Sequence, residues 1–178
     1  QRNFTDPESR IMLSKPDGWI YGYNAQAVVD DTAQVIVATD ISTDATDTRQ
    51  LPAMLDGVEA NTGRRPKRFL ADAGYGSEEN LAALAARGID AYVAVRREHH
   101  SAPPPAAPRG RIPKGLSARE RMARKLRTKR GRAHYARRKV IVEPVFGQTK
   151  EARGFRRFHL RGRVKVTAEW QLVCAVHN

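Results

Sequence analysis

Residues 68–77, RFLADAGYGS, predict the class of the fold because they combine a strand, a turn and the start of a helix. The first four residues form a short apolar run typical of a buried strand, and Asp72 follows it directly. The two glycines predict a tight turn, and Ser77 is suited to cap the next helix. An acid in this position often meets a ligand, although an ordinary turn aspartate fits the local sequence equally well.

The flanking sequence extends this pattern in both directions. Alternating and apolar runs predict strands at residues 19–29, 35–41 and 89–95, with an antiparallel hairpin formed by the first two. Helical spacing with glycine stops predicts helices over residues 49–61 and 77–88. We therefore expect an α/β fold with a mixed sheet, a β hairpin at the N-terminus and flanking helices.

Composition narrows the class of function. The 178 residues suffice for one domain, and the net charge of +13 predicts a polyanionic partner, with nucleic acid favoured over a membrane surface. No apolar run is long enough for a membrane span, and no signal peptide is visible. Cys174 is the only cysteine, which excludes a disulfide framework and predicts a reducing, cytoplasmic compartment.

The positive charge is concentrated in one segment. Sixteen of the 32 Lys and Arg residues lie in residues 96–139, against Glu98 and Glu120 alone. Residues 99–115 hold five of the ten prolines, which predicts a loop, and a basic helix is expected over residues 117–129. Two histidines in the loop, His99 and His100, are weak candidates for metal ligands.

Residues 135–150, YARRKVIVEPVFGQTK, place one carboxylate, Glu143, among cations. On a regular helix Lys139, Glu143 and Lys150 would share a face, above an apolar stripe of valines and Phe146. The local sequence favours a surface ion pair between Lys139 and Glu143. The sharper alternative is a metal-binding carboxylate flanked by cations that bind a phosphate backbone.

Another candidate acid lies near the start of the chain. Asp6 could end a short strand formed by Phe4 and Thr5, although a turn beginning at Asp6-Pro7 is favoured locally. Asp30, in the predicted hairpin turn, is the alternative for the same role.

Several of these stretches resemble the DDE transposases of bacterial insertion sequences. The closest resemblances are FLADAGYGS at 69–77 and the Tyr135, Glu143 and Lys150 pattern with six residues between the last two. GYNAQAVVD at 22–30 and EARGFRRF at 151–158 add to it.

The resemblance implies a ribonuclease H-like catalytic domain over residues 1–178, with a basic Pro-rich insertion at 96–130 and the family's N-terminal DNA-recognition domain absent. It implies that Asp6, Asp72 and Glu143 are catalytic and hold two Mg²⁺ (or Mn²⁺) ions. Such ions activate the attacking oxygen and stabilise the leaving oxygen in phosphodiester cleavage and transfer.

The resemblance also implies that DNA is contacted by Tyr135, Arg138, Lys139 and Lys150. The family's arginine position falls on Lys139, so Arg137, Arg138 or Lys139 could make that contact. The expected partners are the double-stranded DNA of the element ends and of the target, bound by a homo-oligomer at the bacterial nucleoid.

Three other functions remain open from the sequence. A non-catalytic basic nucleic-acid-binding protein would leave the three acids far apart, whereas an inactive transposase remnant would keep the fold. A ribonuclease H-like nuclease would use the same acids, but the Tyr135–Lys150 pattern favours the transposase.

Overall fold

A computed structural model describes residues 2–14, 17–96 and 106–178 of the chain. Its strands are β1 (Arg10–Ser14), β2 (Gly18–Gly22), β3 (Asn24–Val29), β4 (Ile36–Ser42), β5 (Arg68–Ala71) and β6 (Asp90–Val93). Its α-helices are α1 (Leu51–Thr62), α2 (Glu78–Ala86), α3 (Ala118–Arg127), α4 (Lys129–Gly147) and α5 (Arg163–His177). A 3₁₀ helix (Ala73–Tyr75) precedes α2, and a π-helix (Gln148–Ala152) follows α4.

The strands pair in twos. β1 with β2 and β3 with β4 are antiparallel pairs, and β5 with β6 is a parallel pair. The α/β class is confirmed, but in the described part of the chain these pairs replace the single mixed sheet that we expected. The predicted strand over residues 19–29 divides at Tyr23 because its two halves pair with different partners, and β1 had no prediction.

The chain divides into two compact units. The first comprises residues 1–63 and 141–178, and the second comprises residues 64–140. The assignment of the whole chain to one catalytic domain stays a prediction, as does the absence of a preceding DNA-recognition domain.

The first unit builds its core on both faces of the β3–β4 hairpin. Ala38 packs with Met54 and Val58 of α1. Ile41, three residues further along β4, packs with α5. Odd spacing along a strand places side chains on opposite faces, so each face buries one helix. The α5 residues in this core are Val166, Trp170 and Cys174, which are spaced four residues apart and therefore share one face of the helix.

The second unit contains a β5–α2–β6 crossover. Ser77 accepts a hydrogen bond from the Asn80 amide at 3.1 Å, which confirms it as the N-cap of α2. α2 and α3 both pack on β6, and their buried side chains include Leu81, Leu84 and Met122. Ser117 and Glu120 form a capping box at the start of α3, so the predicted basic helix is confirmed with slightly shorter bounds.

Among the described residues, no helix is both long enough and apolar enough to cross a membrane.

Candidate functional site

Asp72 lies where the sequence predicted it, directly after β5. Its side chain is exposed, and it caps the following 3₁₀ helix by accepting a hydrogen bond from the Gly74 amide at 2.9 Å. A short capping interaction of this kind fixes the carboxylate at the strand end while leaving it in contact with solvent. In this position the Asp72 carboxylate can supply an oxygen ligand to a cation.

Gly76 explains why the turn after Asp72 requires glycine. A Cβ atom at residue 76 would lie 2.4 Å from the Ala94 carbonyl oxygen, in the segment that follows β6. The Ala94 amide donates to the Ala71 carbonyl at 3.2 Å, so that segment is itself held beside β5. The tight turn therefore brings the Asp72 loop against the end of the parallel strand pair.

Glu143 is an exposed residue in α4. Below it, Ile141 and Val145 are buried at 6% and 1% exposure, whereas Val140 is 63% exposed. The predicted apolar stripe was therefore wrong for Val140, because the buried face of the helix passes through residues 141 and 145, four apart. The carboxylate faces solvent above a packed helix face.

Lys150 lies in the π-helix rather than in a regular α-helix. The Arg153 amide donates to the Gln148 carbonyl at 3.1 Å, closing the wider turn, and the Lys150 ammonium lies 5.9 Å from the centre of the Phe146 ring. The regular spacing that we assumed between Glu143 and Lys150 therefore ends before Lys150. Single π turns within helices are frequent at functional sites.

The other predicted DNA contacts lie on α4 in the second unit. The Arg138 guanidinium stacks at 5.8 Å from the centre of the Tyr135 ring, and Lys139 is exposed. Stacking on an aromatic face orients a guanidinium, which favours a defined contact with phosphate.

Asp6 begins a turn, not a strand end. The Ser9 amide donates to the Asp6 carbonyl at 3.1 Å, which confirms the turn that the local sequence favoured. The residue is 8% exposed. Its carboxylate accepts the Tyr23 hydroxyl at 2.9 Å, the Gly162 amide at 3.2 Å and the Glu8 amide at 3.3 Å. Both oxygens thus already have donors from the protein.

The electrostatics of Asp6 follow from these contacts. Burial raises the pKa of Asp6, but the donors from Gly162, Tyr23 and Glu8 outweigh it and lower the pKa below 3.8. The contact between Asp6 and Tyr23 has the opposite effect on the tyrosine. Burial raises the pKa of Tyr23, and the neighbouring Asp6 carboxylate raises it further. Asp6 is therefore an ionised, internally bonded carboxylate.

Asp30 is also engaged in local structure. Its oxygens accept the backbone amides of Thr32, Ala33 and Val35 at 2.8–3.3 Å, which forms the β3–β4 turn. Burial raises its pKa, and these amides, Val35 first, lower it by more. Both candidates for the first acid thus have a structural task.

Within each unit taken by itself, the described residues contain no group of three or more His, Cys, Asp or Glu side chains that could hold a metal ion. Asp6 and Glu143 belong to the first unit and Asp72 to the second, so their grouping stays a prediction. His99 and His100 lie outside the described residues.

Sequence reasoning missed the polar residues of the GYNAQ stretch. The Tyr23 hydroxyl donates to the Asp6 carboxylate. The side-chain amides of Asn24 and Gln26 both donate to one oxygen of Asp47 at 2.8 Å. The Trp170 indole donates to the Gln26 carbonyl at 2.9 Å. The side chains of this stretch therefore stabilise the fold through hydrogen bonds. The one sequence signal for such a role is the presence of polar residues within an otherwise apolar strand.

Phe155 and Phe158 pack against the core of the first unit. Their ring centres lie 6.3 Å and 6.4 Å from the Trp170 ring, and the two rings meet edge to face at 5.4 Å. The neighbouring Arg157 is exposed, so the cations of this stretch face solvent while its aromatic rings belong to the core.

The model of one protein family, described as the transposase DDE domain, matches residues 9–178. The chain belongs to this family. The matched range includes Asp72 and Glu143, whereas Asp6 lies just before it. No curated protein and no solved structure matches the chain. Membership of the DDE transposase family implies a function in DNA transposition, with DNA as the partner.

Proposed function

We propose that this chain is the catalytic part of a transposase, with a ribonuclease H-like fold, that cuts and joins DNA strands at the ends of a mobile element. The match of residues 9–178 to the transposase DDE domain family carries the proposal. The net charge of +13 supports a polyanionic partner, because so large an excess of one sign is costly without one.

In this proposal Asp72 and Glu143 are ligands of two Mg²⁺ (or Mn²⁺) ions. Both side chains are exposed, and carboxylate oxygens are the ligands that hard divalent cations prefer. When bound, such ions polarise the scissile phosphodiester and supply an activated oxygen nucleophile. Asp72 is held at a strand end and Glu143 on a helix, so rigid elements orient each carboxylate.

Asp6 is the proposed third carboxylate, and it fits less well than the other two. Its ionised state suits a cation, but both oxygens accept protein donors and the residue is buried. An ionised carboxylate has about four lone-pair sites, and three protein donors already use them, so a cation at Asp6 would compete with the Tyr23, Glu8 and Gly162 hydrogen bonds.

The proposed DNA contacts are Tyr135, Arg138, Lys139 and Lys150. The Tyr135–Arg138 stack presents an oriented guanidinium, and the exposed ammonium groups of Lys139 and Lys150 supply contacts to backbone phosphates. Such contacts predict binding that weakens as salt concentration rises. We further propose that a homo-oligomer binds both element ends and the target DNA at the bacterial nucleoid.

Substitution of Glu143 by Gln tests the catalytic role. The assay is Mg²⁺-dependent nicking of a duplex that carries the terminal repeat of the element encoding this chain. We expect E143Q to lose nicking by about 100-fold or more, because an amide is a poor ligand for Mg²⁺. The affinity for the same duplex should stay within about twofold of wild type, because binding depends on the cations.

Glu151→Gln is the matched control. Glu151 is also exposed, lies shortly after Glu143, and pairs with Arg156 at the surface. It should retain nicking, since exposed ion pairs contribute little to stability. Nicking by E143Q at the wild-type rate would refute the role of Glu143. A wild-type protein that binds the duplex without nicking it would favour the non-catalytic alternative.

A further inference from the structure

A cationic cluster surrounds Asp90 in the second unit, and its members have no role in the proposed catalytic or DNA-contact sets. The Lys125 ammonium donates to Asp90 Oδ1 at 2.5 Å and to the Ala91 carbonyl at 2.7 Å. The Tyr92 hydroxyl donates to Asp90 Oδ2 at 3.0 Å, and Lys125 also lies 4.1 Å from the centre of the Tyr92 ring. Lys125 is therefore the charge that neutralises this carboxylate.

Two arginines add positive charge that Asp90 does not neutralise. Arg68 Nε lies 3.9 Å from Asp90 Oδ2, which is too long for a hydrogen bond, and this buried atom has no hydrogen-bond partner among the described residues. Arg130 is exposed at the start of α4, and its charge acts on Asp90 and Tyr92. One carboxylate thus faces three cations.

His134 completes the cluster. It lies one helical turn after Arg130, so both side chains share a face of α4, and its ring centre lies 4.8 Å from that of Tyr92. Partial burial lowers the pKa of His134, and the charges of Arg68, Arg130 and Arg137 lower it further, against Asp90 alone. The imidazole is therefore neutral at neutral pH, because surrounding cations disfavour a further positive charge.

We propose that Arg68, Arg130 and His134 form a binding site for one phosphodiester of the DNA backbone. A phosphate placed there would neutralise the excess charge and would accept hydrogen bonds from guanidinium and imidazolium groups. The inference rests on the proposed DNA partner and adds a specific contact on α4 and β5, distinct from Tyr135, Arg138, Lys139 and Lys150.

The site makes DNA binding depend on pH in a defined direction. An anion beside His134 favours the protonated ring, so bound DNA raises the pKa that the neighbouring cations lower. Protonation accompanies binding, and affinity consequently rises as the pH falls from neutral through the histidine range. The groups that set this response are Arg68 on β5, Asp90 and Tyr92 on β6, Lys125 on α3, and Arg130 and Arg137 on α4.

The test measures the affinity of the full chain for a short duplex of arbitrary sequence, by fluorescence anisotropy at constant ionic strength. Between about pH 7.5 and about pH 5 we expect affinity to rise about three- to tenfold in wild type. H134Q should remove most of that rise and reduce the salt slope at low pH by about one. R130Q should weaken binding at both pH values.

His159→Gln and a double H99Q/H100Q variant are the controls. His159 is exposed and pairs with Glu169 in the first unit, so H159Q should keep the pH response. The inference is overturned if H134Q keeps the wild-type pH response, or if R130Q binds as wild type does. Failure of wild type to bind the duplex at any pH would instead overturn the proposed DNA partner.

A titration of the His134 ring by NMR, with inorganic phosphate as the probe, distinguishes failure of the phosphate site from failure of the proposed DNA partner. Phosphate should raise the pKa of His134 in wild type and raise it less in R130Q. An unchanged His134 titration in the presence of phosphate would overturn the site even if the protein binds DNA elsewhere.

Discussion

The region around Asp6 and the region around Asp72 were both predicted to supply a metal-binding carboxylate, yet they use their aspartates in opposite ways. Asp6 is 8% exposed and accepts donors from Tyr23, Glu8 and Gly162. Asp72 is exposed and accepts the amide of Gly74, two residues along the chain. The Asp6 carboxylate stabilises the fold, whereas the Asp72 carboxylate is exposed to solvent at the end of a strand.

An acid near a predicted strand end can therefore be either a structural anchor or an exposed ligand, and the local sequence does not distinguish the two. At Asp72 the loop is fixed by the tight packing of Gly76 against the Ala94 carbonyl, and within the described residues the carboxylate forms a short cap with the Gly74 amide. At Asp6 the carboxylate itself connects the N-terminal segment to the start of α5. Loss of the contacts of Asp6 should therefore lower the free energy of unfolding, whereas replacement of the Asp72 carboxylate should lower activity and leave stability nearly unchanged.

The largest expected effect is from Gly76→Ala in the Asp72 region. The new methyl group would meet the Ala94 carbonyl oxygen at 2.4 Å, and the backbone must move to relieve the clash. We expect a loss of about 3 kcal/mol in the free energy of unfolding, measured by urea denaturation. Gly147→Ala is the control, because nothing lies within 4 Å of its Cβ position and it should be neutral or slightly stabilising. Equal stabilities of the two variants would contradict the tight turn.

A smaller loss is expected from Tyr23→Phe in the Asp6 region. It removes the hydroxyl from an ionised, buried carboxylate, which should cost about 1–2 kcal/mol of unfolding free energy at neutral pH. The folded pKa of Asp6 is lowered, so its contribution is present above about pH 3.8 and lost as the pH falls below that value. The difference between wild type and Y23F should therefore shrink in acid.

Tyr21→Phe is the matched control for this measurement. Tyr21 is 40% exposed, and loss of its hydroxyl should change stability by less than about 0.5 kcal/mol at either pH. A penalty for Y23F that is equal at neutral and acid pH would show that the charge of Asp6 is not involved.

The smallest effect on stability is expected from Asp72→Asn. Asparagine caps as well as aspartate does, so the unfolding free energy should change by less than about 0.5 kcal/mol. Mg²⁺-dependent nicking should nevertheless fall by about 100-fold or more, because the carboxylate ligand is lost. A stability loss as large as that of Y23F would remove the contrast between the two aspartates.

Local patterns predicted the parts of the fold that depend on neighbouring residues. The strand Arg68–Ala71 has the predicted bounds, because its apolar run and the turn residues that follow it are properties of the segment itself. The division at Tyr23 could not be predicted this way, since the residues before and after it alternate without interruption and only their partners differ.

For the candidate site, the sequence located Asp72 after a strand and Glu143 on a helix, and the structure places both as exposed residues. It did not predict the π turn at Lys150 or the exposure of Val140, because both depend on how the helix packs. The cluster of Arg68, Asp90, Lys125 and His134 was also missed, since its members come from four separate elements.

The α/β class, the excess of positive charge and the family of this chain follow from the amino-acid sequence, since composition and motifs are properties of the chain before it folds. The role of Asp6 as a buried anchor, by contrast, is visible only in the folded chain, because one of its donors, Gly162, lies 156 residues away. A hydrogen bond across that separation leaves no local pattern, and it forms only when folding has brought the two segments together.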